Sequence, residues 1–206
     1  MFSLDYIKKQ IDFEYKYGIR NFEITGGEPS EYNQLREVCQ YIKQKNKNSK
    51  IAIITNGGLW KSNIWDLIDE VLISYHIGKN DPNINKKFFP LGHTYYKVKK
   101  TVDKANENNI LIRTNTVLGT FNINNIDYIV DDLIFFKPAI INFLPVNLFD
   151  NVTKILEKTI DYNILRPILK NSIDKLKYNL KHVFINIRYM PFCDMEGYEQ
   201  HILGQL

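Results

Sequence analysis

Phe22-Glu23-Ile24-Thr25-Gly26-Gly27-Glu28-Pro29 is the stretch on which the reading of this chain turns. Arg20–Thr25 reads as a short strand that runs directly into two glycines, a carboxylate and a proline. Adjacent glycines let the backbone turn sharply and let a ligand approach without interference from a Cβ atom. Pro29 restricts Glu28 to an extended backbone, which fixes where its carboxylate points. A fixed carboxylate beside open backbone carbonyls is a receptor for an ammonium group. An ordinary strand-to-helix turn with a surface glutamate would carry the same letters, so the surroundings have to decide.

Upstream, Leu4, Ile7 and Ile11 recur at helical spacing, and Gly18 is placed to end that helix. Downstream, Ser30 is a candidate cap for a helix whose inner face is Leu35, Val38, Cys39 and Ile42. Lys50–Thr55 is a second strand, broken by Asn56-Gly57-Gly58. Ser62 is a candidate cap for a short helix carrying Ile64, Trp65 and Ile68. Glu70–Tyr75 is a third strand, and a long irregular stretch, Ile77–Thr94, follows it as a functional cover or a disordered loop. The remaining pattern is a helix through Val98, Val102 and Ala105, a strand over Ile110–Leu118 and a helix through Ile126, Ile129, Val130 and Leu133. A buried strand over Ala139–Val146, a helix through Leu165, Leu169, Ile173, Leu176 and Leu180, and a strand over Val183–Tyr189 complete it. Pro167 fits that last helix only near its first turn. Strands alternating with helical patterns imply βαβ crossovers and a mainly parallel sheet. The expected fold is one α/β domain over residues 1–206, an open (β/α) barrel or a doubly wound sheet.

The chain has 206 residues, 44% of them hydrophobic and 24% charged, which is a globular composition able to bury a sizeable core. Its 27 basic and 23 acidic side chains leave a net charge of only +4. The dense Lys97–Lys104 run reads as a solvated helix face, so no nucleic-acid footprint stands out. No stretch is long and apolar enough to span a membrane, and Met1–Ile11 mixes charges into its apolar residues, unlike a secretory leader. Two cysteines, Cys39 and Cys193, offer no disulfide framework, so the cytoplasm is the expected compartment.

In parallel α/β folds ligands bind beyond the carboxyl ends of the strands. Besides Gly26-Gly27-Glu28, that rule points to Thr55-Asn56-Gly57-Gly58, Ser74-Tyr75-His76, Arg113-Thr114-Asn115-Thr116 and Asn142-Phe143-Leu144-Pro145-Val146-Asn147. Ser74 and His76 fall on one side of their strand and offer groups for a sugar hydroxyl, with His76 read as a structural histidine. Polar residues inside the otherwise apolar Ile110–Leu118 strand need hydrogen-bond partners, and a ligand is one such partner. Pro145 is expected to end its ladder and leave backbone groups free for a planar ring.

Taken in order, these segments resemble the radical S-adenosylmethionine (SAM) superfamily. Phe22–Pro29 is similar to its glycine-rich motif, where backbone and glutamate receive the amino group of SAM. Ile53-Ile54-Thr55-Asn56-Gly57, Leu72-Ile73-Ser74-Tyr75-His76, Thr114-Asn115-Thr116-Val117-Leu118 and Ile141-Asn142-Phe143-Leu144-Pro145 resemble its following strands. The resemblance implies a partial (β/α) barrel with S-adenosyl-L-methionine as cofactor. It assigns Gly26, Gly27 and Glu28 to the methionyl ammonium, Ser74 and Asn115 to ribose, and Leu144, Pro145 and Val146 to adenine. No side chain is assigned as a general acid or base. The activity implied is reductive SAM cleavage to a 5′-deoxyadenosyl radical that takes hydrogen from a substrate, with an electron donor as partner. Ile187-Arg188-Tyr189-Met190-Pro191-Phe192-Cys193 is similar to members some of which modify peptides, so a peptide is one expected substrate class.

The family holds a [4Fe–4S] cluster with three thiolates from a Cys-x-x-x-Cys-x-x-Cys loop, and two cysteines cannot supply three. Cys39 reads as core packing, and Cys193 as a structural or free thiol. The resemblance places the cluster loop, and the first strand, before Met1. A fragment, or a reading frame opened at an internal Met, inactive as it stands, is therefore expected, with a pseudoenzyme as the other explanation. Two further classes stay open: a non-catalytic SAM or nucleoside-binding module, and an unrelated (β/α) barrel enzyme acting on an anionic substrate.

Overall fold

The structure is a computed structural model that describes residues 2–81, 94–146 and 158–203. It divides into two compact units, Met1–Ile73 with Lys97–Ile112, and Ser74–Tyr96 with Arg113–Leu206. Within each unit the strands follow chain order, and every strand pairing described below is parallel.

The first unit begins with α1 (Leu4–Lys16), capped by Ser3, whose Oγ accepts from the Tyr6 amide. Gly18, at φ +85°, turns the chain out of the helix. β1 (Asn21–Ile24) follows, then α2 (Leu35–Lys45), β2 (Lys50–Thr55) and β3 (Glu70–Ser74). The unit closes with α3 (Tyr95–Glu107). β1 pairs with β2 from Asn21↔Lys50 to Ile24↔Ile53, and β2 with β3 from Ala52↔Glu70 to Thr55↔Ile73. The α2 stripe Leu35, Val38, Cys39 and Ile42 is buried as its spacing predicts. Each large side chain so buried contributes about 1.5–3 kcal/mol of transfer free energy.

Two local expectations fail in this unit. Ser30 does not cap α2; it lies in a 3₁₀ turn, Pro29–Glu31, that is itself capped by the Glu28 side chain. No helix forms over Ile64–Ile68. A 3₁₀ turn at Gly58–Lys61 comes earlier, and the segment after Ser62 makes turns that still bury Ile64 and Ile68. Two apolar anchors at that spacing suit a helix and a pair of turns equally well.

The second unit contains β4 (Leu111–Leu118, from Arg113 onward), α4 (Ile126–Phe136), β5 (Ile140–Pro145), α5 (Tyr162–Asn179), β6 (Phe184–Arg188) and β7 (Ile202–Leu203). α4 ends at Lys137, which takes the left-handed conformation at φ +51°. Leu165, Leu169, Ile173 and Leu176 of α5 and Ile129, Val130 and Leu133 of α4 are buried, together with Ile141, Phe143, Ile185 and Ile187 of the sheet. Pro167 lies inside α5 rather than in its first turn, because the helix already starts at Tyr162 behind an Asp161 cap. The ladder between β4 and β5 ends at Pro145, as expected, although the backbone beside it is not left free. Pro145 stays in register with Leu118, and the Val146 amide donates to the Leu118 carbonyl at 2.8 Å. The two-residue strand β7 carries no sequence signal of its own.

Candidate functional site

In the first unit the carboxyl end of β1 passes into Gly26 at φ +104° and Gly27 at φ +49°. No atom lies within 4 Å of where a Cβ on either would sit. The glycines are therefore required by backbone conformation, and the space above them is open to a ligand. Glu28 is extended (φ −118°, ψ 112°), as the following proline demands. Its side chain points at the β2 turn. Oε1 accepts from the Ser30 amide at 3.2 Å, the Ser30 hydroxyl at 2.8 Å and the Thr55 hydroxyl at 2.7 Å. Oε2 accepts from the Asn56 amide at 2.6 Å. Oε2 accepts this one bond alone among the described residues, and a carboxylate oxygen has more than one acceptor direction, so one on Oε2 stays open.

The β2 turn is fixed from its other side. Thr55 is buried, and its Oγ1 accepts from the Gly57 amide at 3.1 Å. Thr101 of α3 donates to the Gly57 carbonyl at 2.7 Å. Gly57 sits at φ +95°, and a Cβ there would lie 2.6 Å from Val98 Cγ2, so helix α3 packs directly on this glycine. The Lys97 ammonium hydrogen-bonds Asn56 Oδ1, leaving a cation one residue removed from the Glu28 carboxylate. A cavity of about 470 Å³ opens beside the turn, lined by Phe2, Ile7, Ile24, Gly26, Gly27 and Pro29. That volume suits a small molecule.

In the second unit the chain leaving β3 is tied to β4. The Tyr75 amide donates to the Asn115 carbonyl at 2.9 Å, and Thr116 Oγ1 donates to the Tyr75 carbonyl at 2.8 Å. His76 Nδ1 accepts from the Val117 amide at 3.1 Å, which makes the ring a neutral structural element. Burial pushes its pKa down to about 4. The Tyr75 hydroxyl donates to the buried Asp132 at 2.6 Å. Burial and then this carboxylate both push the tyrosine pKa up. Ser74, half-buried, opens this segment.

β4 alternates. Thr114, Thr116 and Leu118 are buried on one face, whereas Arg113, Asn115 and Val117 are half-buried on the other. Strand register then lines up Asn115, Asn142 and Asn186 across β4, β5 and β6. Asn142 donates to Asn115 Oδ1 at 2.8 Å, and Asn186 donates to Asn142 Oδ1 at 3.0 Å. Leu144 lies beside Val117 in the next row, half-buried, with Pro145 buried and Val146 half-buried after it. Within each unit the expected residues are thus brought together: Gly26, Gly27 and Glu28 in the first, Ser74, Asn115 and Leu144–Val146 in the second. Asn147 and most of the Ile77–Thr94 cover lie outside the described residues.

Sequence reasoning missed two features here and left a third, flagged only as part of a polar run, unresolved. Ser30, Thr55 and Asn56 are the partners of Glu28, and nothing in their order along the chain announces that. Asn186 was legible in principle, since Ile185-Asn186-Ile187 repeats the pattern of a polar residue in an apolar strand seen at Asn115 and Asn142. Thr114 has a fully buried hydroxyl with no hydrogen-bond partner among the described residues.

The residues present do not fit a [4Fe–4S] cluster. Such a cluster is held by cysteine thiolates. Cys39 is fully buried in the first unit, its pKa pushed up to about 12 by that burial, and Cys193 is exposed in the second. Among the described residues no three Cys, His, Asp or Glu side chains are grouped to hold a metal ion. Nor is any helix among them long and apolar enough to cross a membrane. The glycine turn, with its open acceptor on Glu28 Oε2, does fit an amino-acid ammonium, and the amide of Asn115 fits a hydroxyl.

Parallel strands joined by helices, with a glycine turn and a fixed carboxylate at the carboxyl end of β1 in the first unit and a row of amides along β4–β6 in the second, define an α/β protein of the kind that places its ligand sites at strand ends. Comparison with known proteins narrows this: the radical SAM superfamily profile matches residues 1–133, and the chain belongs to that superfamily. A probable GTP 3′,8-cyclase of Methanococcus aeolicus is 26% identical over 210 residues, covering 91% of this chain and 68% of the relative. Among solved structures, Streptococcus suis SuiB bound to its precursor peptide SuiA superposes with a TM-score of 0.63 at 20% identity, over 83% of this chain and 38% of that one. Escherichia coli coproporphyrinogen III oxidase HemN, a radical SAM enzyme, gives a TM-score of 0.65 at 11% identity over 85% of this chain and 45% of its own. The fold is accordingly the partial (β/α) barrel of the α/β class. The chain spans less than half the length of these two solved structures.

Proposed function

We propose that these 206 residues are the SAM-binding core of a radical SAM enzyme, with Gly26, Gly27 and Glu28 receiving the methionyl ammonium. The observation that carries the reading is the left-handed glycine pair followed by a carboxylate fixed in position with one acceptor direction open. In the second unit, Ser74 and Asn115 are assigned to ribose and Leu144, Pro145 and Val146 to adenine. When bound, SAM supplies a 5′-deoxyadenosyl group for radical chemistry in this superfamily. What these residues do is bind and orient it. The cluster is not part of what they hold, so the chain alone is proposed to be inactive. A peptide substrate is supported by the SuiA precursor peptide held by the structural relative SuiB, and an electron donor is the expected partner of the complete enzyme. The reading includes one domain-level unit of function over residues 1–206, in a protein of the cytoplasm.

The test is a titration of the ¹⁵N-labelled chain with SAM, followed by NMR. Shifts confined to the amides of Gly26, Gly27 and Glu28 and to the Ser74, Asn115 and Leu144–Val146 segments are expected. Absence of shifts at millimolar SAM overturns the assignment. Anaerobic reconstitution with iron and sulfide is expected to leave less than one stable [4Fe–4S] centre per chain. Stoichiometric cluster absorbance with SAM cleavage would refute the thiolate arithmetic.

A further inference from the structure

The three asparagines in register on β4, β5 and β6 form a chain of amides with a fixed direction. Asn142 is buried at the centre, 2% exposed, and its NH₂ group is fully used: one bond goes to Asn115 Oδ1 at 2.8 Å and one to the Thr114 carbonyl at 3.2 Å. A backbone carbonyl can only accept, so the Thr114 contact forces the Asn142 nitrogen toward β4 and its oxygen toward β6. The direction of the other two amides follows. Asn115 must turn Oδ1 toward Asn142 and present its NH₂ outward. Asn186 must turn its NH₂ toward Asn142 Oδ1, at 3.0 Å, and keep its own Oδ1 outward. No other hydrogen bond takes up the Asn115 NH₂ or the Asn186 Oδ1 among the described residues, and both side chains are half-buried rather than submerged.

We infer that Asn142 is a positioning residue that presets Asn115 as a hydrogen-bond donor to its ligand, and that Asn186 strengthens this from the far end of the row. The inference rests on the assignment of Asn115 to a ligand hydroxyl. An amide free to flip would lose half its orientations as productive donors and would pay rotamer entropy on binding. An amide already held loses little. Each bond in the row also polarises the next, so the outward N–H of Asn115 is a better donor than that of an isolated asparagine. The same polarity makes Asn186 Oδ1 an acceptor for a ligand N–H or O–H.

The experiment is a double-mutant cycle on the full chain, read as SAM affinity by NMR titration, with far-UV circular dichroism as the fold control. Asn115→Ala is expected to weaken SAM roughly tenfold, and Asn142→Leu, which keeps the volume, roughly three- to tenfold. In the Asn115→Ala background, Asn142→Leu is expected to cost less than about twofold, because its effect passes through Asn115. Asn186→Leu, which leaves the Thr114 and Asn115 contacts intact, covers the case in which Asn142→Leu does not fold, and is expected to cost about twofold in the presence of Asn115 and nothing in its absence. The side-chain NH₂ signals give a readout independent of affinity: those of Asn142 should exchange slowly and ignore SAM, and those of Asn115 should move with it. Equal losses from Asn142→Leu with and without Asn115 would show a purely structural role and overturn the inference. Unchanged affinity in Asn115→Ala alone would remove the ribose assignment and this inference with it, a result distinguishable from the first.

Discussion

Replacing Glu28 by alanine should destabilise the first unit before any ligand is considered. The carboxylate accepts four hydrogen bonds, from Ser30 N, Ser30 Oγ, Thr55 Oγ1 and Asn56 N. Water can replace it at the exposed Asn56 amide and at the mobile Ser30 hydroxyl. It cannot readily do so at Thr55, which is 2% exposed, or at the part-buried Ser30 amide. Counting only those two, at the lower figure of about 1.5 kcal/mol for a bond to a charged group, gives a loss of about 3 kcal/mol. For a chain of this size that corresponds to a fall in Tm of roughly 6–12 °C. Glu28→Gln retains an oxygen for the three donors on the Oε1 side but turns an NH₂ toward the Asn56 amide, and should cost about 1–2 kcal/mol. Both tryptophans of the chain, Trp60 and Trp65, lie in the same unit as Glu28, so urea unfolding followed by tryptophan fluorescence reports the relevant transition. The expected order of stability is wild type, then Gln, then Ala. An alanine variant within about 0.5 kcal/mol of wild type would show that the carboxylate is not the latch between the two turns.

Gly27→Ala, at φ +49°, should cost about 1–2 kcal/mol from left-handed strain alone, and Gly26→Ala, at φ +104°, should cost more, since neither meets a steric neighbour; urea midpoints check both. His76 should titrate by NMR near pH 4 in the folded chain against about 6.5 unfolded. Between those values only the unfolded state binds the proton, so stability falls as pH drops from about 6.5 to about 4 and no further below that; a folded-state midpoint near 6.5 would refute the burial argument. Under native conditions a thiol reagent should label the exposed Cys193 and spare Cys39, with both reacting in denaturant; rapid native labelling of Cys39 would contradict its burial.

Where one physical signal dominates, the sequence suffices. Lys50–Thr55 is read with both ends correct because an apolar run is cut by Asn56-Gly57-Gly58, and the buried face of α2, though not its start, because its stripe has no competing pattern. Pro145 does end its strand, but it misleads about free backbone groups, because its neighbour Val146 still donates to Leu118. Ile64–Ile68 misleads because two buried anchors do not specify the backbone between them. At the site, the letters Gly26-Gly27-Glu28 indicate a turn and a carboxylate, and the observed dihedrals agree. What they do not indicate is the aim of the carboxylate. Thr55 and Asn56 lie 27 and 28 residues away, and it is the parallel pairing of β1 with β2 that delivers them. The asparagine row is likewise a product of register. Each polar residue is visible alone, but only strand pairing makes three of them one object.

The aim of Glu28 changes what its proposed role in binding requires. A receptor carboxylate on a flexible loop would have to be ordered by its ligand, and the cost would appear as lost affinity. Here Ser30, Thr55 and Asn56, all parts of the fold itself, hold the group in place, so the charge and the one open direction on Oε2 are set by folding. Preorganised groups of this kind are worth more than mobile ones because the ordering has been accomplished by folding. Lys97 pulls the other way: its ammonium, bonded to Asn56 Oδ1, partly neutralises the field that would attract a ligand ammonium. Lys97→Met should therefore tighten SAM binding by roughly two- to threefold at low salt, with the gain fading as ionic strength rises. A loss of affinity in Lys97→Met would mean that the lysine itself contacts the ligand, for which the α-carboxylate would be the chemical partner, and that the polarity assigned to this end of the site is incomplete.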